Sequence, residues 1–251
     1  MTASLALLTQ KFTPMHSDSN LQPIGIIESP YAQKFAVPRQ PGLVPAARAQ
    51  IILQHAFADA DCVRGLEEFS HIWVLFLFHE TQAQGWKPLV RPPRLGGNEK
   101  RGVFATRSTF RPNAIGMSVV ELVSIQHQPG KTIIEVNGGD WVNQTPVIDI
   151  KPYLPYVDAI PAARGGFAPT SPEAQLRTVF SASAQQQLTE LNPDYPNLAL
   201  LIEQVLAQDP RPAYQREGSN NREYGMTLYD VNIRWQVREQ ENHVISISKG
   251  F

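Results

Sequence analysis

One cysteine, Cys62, stands among 251 residues. That excludes an intrachain disulfide framework and fits a reducing compartment. Cys62 lies in the helix-like run 61–69 beside Val63 and Leu66, which predicts a buried structural thiol rather than a nucleophile. Long apolar runs are missing too. The longest, Ile72 to Phe78, has strand length, far short of the ~20 residues that span a bilayer. Residues 1–8 are mildly apolar but lack a basic segment before them and a cleavage site, so 1–21 reads as a flexible leader and the location as cytoplasmic. No glycine-rich phosphate loop and no G-x-G-x-x-G after a strand occurs, which argues against a doubly wound nucleotide fold. Histidine and cysteine never cluster at metal-ligand spacing, and no serine sits in a nucleophile elbow. An enzyme of this composition works by positioning and electrostatics around a bound cofactor.

Hydrophobic content of 42% and charged content of 18% describe a globular chain, with length enough for one large domain or two small ones. The 21 prolines exceed the usual share of about 5% and cluster between strands, pointing to a loop-rich β architecture. Seven short runs rich in Val, Ile and Phe read as strands: 24–28, 50–53, 72–79, 103–106, 118–125, 132–137 and 147–151. Pro129-Gly130 joins two of them as a hairpin turn. With one helical candidate among them, they predict a mainly β fold with a closed, barrel-like N-terminal domain over 22–165.

Residues 155–172 turn Pro, Ala and Gly rich, as a linker does. Beyond it, 171–251 reads as a small α+β domain. Ser171-Pro172-Glu173 predicts a helix start, continued by Leu176, Val179, Phe180, Leu188 and Leu191 at roughly helical spacing. A second helix is expected over 196–208. Alternation of Val231, Ile233, Trp235 and Val237 with polar residues marks a half-buried strand, which Val244 to Ser248 could pair.

Polar chemistry concentrates in the segment 102–116, Gly-Val-Phe-Ala-Thr-Arg-Ser-Thr-Phe-Arg-Pro-Asn-Ala-Ile-Gly. Arg107 and Arg111 offer planar donor forks suited to carboxylate or phosphate, beside Ser108 and Asn113. Between Lys87 and Arg111 seven basic residues face one acid, Glu99, a local charge of +6 in a chain whose total is −1. Such a patch attracts polyanions, and Trp86, Phe104 and Phe110 within it suit unstacked bases of RNA. Four further polar segments stand out: Pro38 to Gly42, displaying Arg39, Gln40 and Pro41; the strand from His71 to His79, with Trp73 beside its first histidine; the basic loop 92–97 with Arg94; and Asp149-Ile150-Lys151-Pro152-Tyr153. From the residues alone three readings stand: an RNA-acting enzyme, a non-catalytic RNA-binding or cofactor-sensing module, and a hydrolase of a small phosphorylated metabolite.

The segments 24–31, 35–42, 102–116 and 149–153, in this order, resemble the TsaA-like family, whose characterised members are the TrmO-type tRNA methyltransferases. Asp209-Pro210-Arg211-Pro212-Ala213-Tyr214 extends the similarity to its longer bacterial members. The resemblance implies a homodimeric β-barrel enzyme that uses S-adenosylmethionine outside the Rossmann type. Its substrate would be tRNA carrying threonylcarbamoyladenosine beside the anticodon, methylated on the exocyclic nitrogen. It further implies His71, Asp149 and Tyr153 as catalytic residues. Arg39, Gln40, Pro41, His71, Trp73, Arg107, Asp149 and Lys151 would hold the cofactor, and Arg94, Arg107, Ser108, Arg111 and Asn113 the substrate.

Overall fold

The computed structural model describes residues 21–172, 176–211 and 222–250; the expected leader lies almost wholly outside them. Strands β1 (Gly25–Glu28), β2 (Arg48–Leu53) and β3 (His71–Leu77) precede two short strands, β4 (Leu89–Val90) and β5 (Arg101–Gly102). Then follow β6 (Ile115–Gln128), β7 (Lys131–Asn137) and β8 (Thr145–Pro152). Six of these close a barrel in the order β1-β2-β7-β6-β3-β8, with every neighbouring pair antiparallel. Closure removes the free sheet edges that would otherwise invite pairing with other chains.

The alternation of β3 shows how the sequence sets the wall. Ile72, Val74 and Phe76 point inward and are buried, while His71, Trp73 and Leu75 face outward. Inside, they meet Ile27, Ile51, Val120, Ile134, Val136 and Val147. Gln128 opposes Lys131 across the β6–β7 hairpin, so Pro129-Gly130 is its two-residue turn, with Gly130 at φ +75°. The run 103–106 is not a strand. Val103–Ala105 forms a 3-10 turn, closed by the Thr106 N–H donating to the Val103 carbonyl (3.2 Å) and the Thr106 hydroxyl to the same oxygen (2.9 Å). A hydroxyl that bonds its own turn competes with a strand ladder.

After the short helix α1 (Pro155–Asp158), the C-terminal part comprises β9 (Arg177–Phe180), α2 (Ala182–Leu191), α3 (Leu198–Ala207), β10 (Glu223–Leu228), β11 (Val231–Arg238) and β12 (Glu241–Lys249). Its sheet runs β10-β11-β12-β9, with β9 parallel to β12. The helix expected from Ser171 begins eleven residues later. Thr178, Val179 and Phe180 favour a strand, and the Ser181 hydroxyl caps α2 by accepting from the Ala184 N–H (3.1 Å). Helix α3 buries Leu198, Leu201, Ile202, Val205 and Leu206, one apolar stripe at 3-1-3-1 spacing. Cys62 is exposed, not buried: the 3-10 turn Ala60–Val63 directs only Val63 inward.

The second core does not stop at the linker. Tyr31, Ala36, Val44 and Ala47, all from the loop between β1 and β2, are buried with α3 and the C-terminal sheet. Hydrogen bonds stitch the two parts: Tyr229 N–H donates to the Pro30 carbonyl (2.6 Å), and Ala46 N–H donates to the side-chain oxygen Gln204 Oε1 (2.8 Å). The loop that carries Arg39 and Gln40 is therefore anchored by the C-terminal part.

Candidate active site

One end of the barrel opens into a cavity of about 480 Å³, within the size range of small-molecule sites. Phe76, Phe78, Trp141 and Met117 give it apolar walls, and Arg39, Gln40, Arg107, Arg111, His79 and Asp140 supply polar groups. Phe76 meets Phe78 and Trp141 edge-on, at centroid distances of 5.2 and 6.0 Å.

Two turns assemble the polar rim. The corner after β7 reads Gly138-Gly139-Asp140-Trp141. Gly138 sits at φ +75°, and a Cβ at Gly139 would meet the Trp141 ring at 2.2 Å. Only a glycine there lets the tryptophan fold back into the barrel mouth. The Arg39 turn docks on this corner, with the Gly42 N–H donating to the Gly138 carbonyl (2.8 Å). Arg107 Nη1 then donates to Gln40 Oε1 (2.7 Å), and Gln40 Nε2 to the Arg39 carbonyl (2.5 Å). Residues 67 positions apart thus share one rim.

Asp140 is the chemically unusual group. Burial pushes its carboxyl up to about 6, against the opposing pull of the Ser118 hydroxyl, which donates to Oδ1 (2.6 Å), and of the nearby Arg107 charge. Perturbed carboxyls of this kind concentrate at functional sites. Arg111 is partly committed elsewhere: its Nη1 donates to the Thr106 (2.7 Å) and Val103 (3.2 Å) carbonyls, bracing the turn that presents Arg107. Two buried polar atoms of the cavity lining, Trp141 Nε1 and Thr81 Oγ1, have no partner among the described residues. Buried polar atoms are normally satisfied, so the lining has hydrogen-bonding capacity left for a ligand with polar groups.

The expected site residues divide into two groups. Arg39, Gln40, Arg107 and Arg111 line the cavity; Pro41, Ser108 and Asn113 flank it in sequence without lining it. His71, Trp73, Asp149, Lys151 and Tyr153 do not line it either. They lie together on the outer face of β3 and β8 and just beyond, because the strand period that sends Ile72 and Val74 inward turns their neighbours out. There the Tyr153 ring lies 6.1 Å from Trp73 and 6.3 Å from His71. Trp73 Nε1 donates to Asp158 (3.0 Å), and Asp149 pairs with Lys151 (3.2 Å) in an exposed ion pair. Arg94 is tied to the Thr170 carbonyl and hydroxyl, clasping the basic loop to the linker.

Residues 26–159 match the tRNA-methyltransferase O N-terminal domain, and residues 173–250 match the TrmO C-terminal domain. The chain belongs to the tRNA-methyltransferase O family. It is 49% identical to the tRNA (adenine(37)-N6)-methyltransferase of Escherichia coli K12, over 92% of this chain and 98% of that protein. It is 36% identical to a probable S-adenosyl-L-methionine-binding protein of Methanothermobacter thermautotrophicus, over 56% of this chain and 93% of the relative. The crystal structure of TrmO from Pseudomonas aeruginosa superposes with a TM-score of 0.77 at 40% identity, covering 94% of this chain and all of that one. The likeness extends to the closed barrel and the α+β part alike. What sequence reasoning missed in this family member is Asp140. Its signal was a lone acid between a glycine pair and a tryptophan, at a corner between two strands.

Proposed function

We propose that this chain methylates the exocyclic nitrogen of threonylcarbamoyladenosine next to the anticodon of tRNA. It is an S-adenosylmethionine-dependent methyltransferase of non-Rossmann type, as family membership across both parts of the chain supports. The observation that carries the reading is the convergence of an arginine fork and a half-buried carboxyl on one aromatic-walled cavity. When bound, S-adenosylmethionine supplies a methyl group on a sulfonium, which departs as a neutral thioether with the C–S electron pair.

The chain's residues have two tasks. The accepting nitrogen belongs to a urea-like group and is a weak nucleophile, so alignment is the main contribution: a rigid cavity wall of Phe76, Phe78 and Trp141 holds planar groups in one orientation. As the N–C bond forms, the nitrogen's proton must leave. Asp140, with its carboxyl near 6, is ionised at neutral pH yet basic enough to take it. Within a single chain, Asp140 lines the cavity where His71 and Asp149 do not. Arg107 receives the threonine carboxylate as a charge-assisted pair, and its bond to Gln40 fixes the fork. Arg111 acts one step back, holding the Val103–Ala105 turn.

The polyanion face supports tRNA as partner. Trp86 and Phe104 are 55% and 78% exposed, and Lys87 and Arg111 lie over the Phe110 and Phe104 rings at 4.5 and 5.9 Å. Exposed aromatics among cations are stacking platforms for an unpaired loop. A homodimer would cover the outer aromatic face. Tyr156, Val157 and Ile160, just after it, are 84, 57 and 68% exposed, an apolar surface that a second copy would bury. In such a dimer His71, Trp73, Asp149 and Tyr153 would reach the partner's cavity rather than their own. No described helix is long and apolar enough to cross a membrane, and a tRNA substrate supports a cytoplasmic location.

The test is methyl transfer from labelled S-adenosylmethionine to tRNA with and without the threonylcarbamoyl group. Label on the modified tRNA alone is expected. No label on either, with folded protein, would defeat the proposal.

A further inference from the structure

A second cavity, of about 360 Å³, lies where the barrel loops meet α3. Its floor is apolar and includes Val44 and Val205. Beside that floor lies an ion pair almost closed to solvent: Arg211 grips Asp209 through Nε to Oδ1 (2.7 Å) and Nη2 to Oδ2 (3.0 Å), with side chains 7 and 4% exposed. This pair cancels its own charge. The rim adds Lys34, Arg39 and Arg91, so the lining carries a net +3. Lys34 and Arg91 are exposed, and neither makes an ion pair among the described residues. The C-terminal part is acidic as a whole, seven basic against ten acidic residues over 172–251. The charge of its one described arginine at this junction is balanced by Asp209, and the exposed cations Lys34 and Arg91 come from the barrel side.

The two cavities share a wall. Lys34, Val37, Pro38 and Arg39 line both. A nucleotide seated in the first cavity carries a phosphodiester on each side, so its strand must leave the mouth past that wall. We propose that the second cavity is a subsite for a backbone phosphate of the RNA strand flanking the target nucleotide, read by Lys34 and Arg91. The subsite rests on the tRNA reading above and names where that substrate's backbone is held. It also gives Arg91, rather than Arg94, the phosphate: Arg94 is spent on Thr170. Phosphate contacts position a nucleic acid without reading its bases, and each one neutralised releases counterions.

The experiment measures binding of the full chain to tRNA with and without the threonylcarbamoyl group, across a salt series. It compares wild type, Arg91→Gln, the double variant Lys34→Gln/Arg91→Gln, and Lys131→Gln at the far hairpin turn. Both subsite residues are exposed, so folding is not at stake, and calorimetry with S-adenosylmethionine verifies the first cavity separately. The double variant should weaken both tRNAs alike, by roughly 10- to 100-fold, and flatten the slope of log K against log salt by about one. Arg91→Gln alone, whose side chain lines only the second cavity, should weaken both tRNAs while cofactor affinity stays unchanged, and Lys131→Gln should match wild type. An unchanged slope and affinity would overturn the subsite. Weakening confined to the modified tRNA would overturn it too, because the cavity would then be reading the threonine carboxylate. A wild-type protein that binds tRNA but never methylates it would instead sink the enzymatic reading, whatever the variants do.

Discussion

Replacing Asp140 by Asn separates two consequences of the same burial. The carboxyl is held at about 6 in the folded protein, against an ordinary value of 3.8. The folded state therefore binds the proton more tightly than the unfolded state. This stabilising contribution is complete below pH 4 and is lost as pH rises through 6. Above that, the ionised group costs the fold on the order of 3 kcal/mol relative to low pH, at 1.36 kcal/mol per tenfold in affinity. Asn keeps an oxygen that accepts from the Ser118 hydroxyl but carries no charge. At pH 8 Asp140→Asn should be more stable than wild type by roughly 1–3 kcal/mol, and the gap should close toward pH 4. Urea unfolding at half-unit pH steps reads this directly. Activity should move the other way. Loss of a general base costs about 10²- to 10⁴-fold in kcat, and the wild-type rise of kcat with a midpoint near 6 should vanish. A variant within twofold of wild-type kcat, with the same pH profile, would refute the proton-acceptor role. A stability difference independent of pH would refute the burial argument beneath it.

Four further substitutions test the rest of the site. Arg107→Ala should raise KM for modified tRNA by about ten- to a hundredfold, the loss of a charge-assisted contact of about 1.5–3 kcal/mol, while stability stays within about 0.5 kcal/mol. Arg111→Ala should instead lower the urea midpoint, because two turn carbonyls lose their shared donor; equal stability effects for both arginines would contradict the division of labour. Gly139→Ala should destabilise by about 1–3 kcal/mol, since the new Cβ would strike the Trp141 ring at 2.2 Å, and tryptophan fluorescence should report its displacement. Asp149→Ala removes an exposed ion pair and should cost no more than about 1 kcal/mol. If methyl transfer nevertheless collapses, mixing this variant with Asp140→Asn should restore part of it, as expected when the outer face serves the partner's cavity; no restoration would place both residues in one chain's site.

Much of the architecture was written in local patterns. Strict alternation in 231–238, the Pro129-Gly130 turn and six of the seven Val/Ile-rich runs stand where expected, and only 103–106 forms a 3-10 turn instead of a strand. The C-terminal helix start was misplaced because Leu176, Val179 and Phe180 satisfy a helical spacing by coincidence, while β-branched and aromatic side chains prefer the ladder offered by β12. Arg107 and Arg39 stood out by their chemistry among glycine and proline. Asp140 did not, for a single carboxylate becomes special only once burial removes its water.

The sequence by itself settled the closed β-barrel, the appended α+β part, the family and the basic segment 87–111, because these follow from residue types, motifs and periods along the chain. Which of the singled-out residues meet was decided by the tertiary structure. Strand pleat turned His71, Trp73 and Asp149 outward, and barrel closure with the Gly42–Gly138 contact brought Gln40 to Arg107 and the Arg39 turn to the Asp140 corner. Spacing along a chain fixes the face on which a side chain lies. Only the packing of distant elements fixes what it faces.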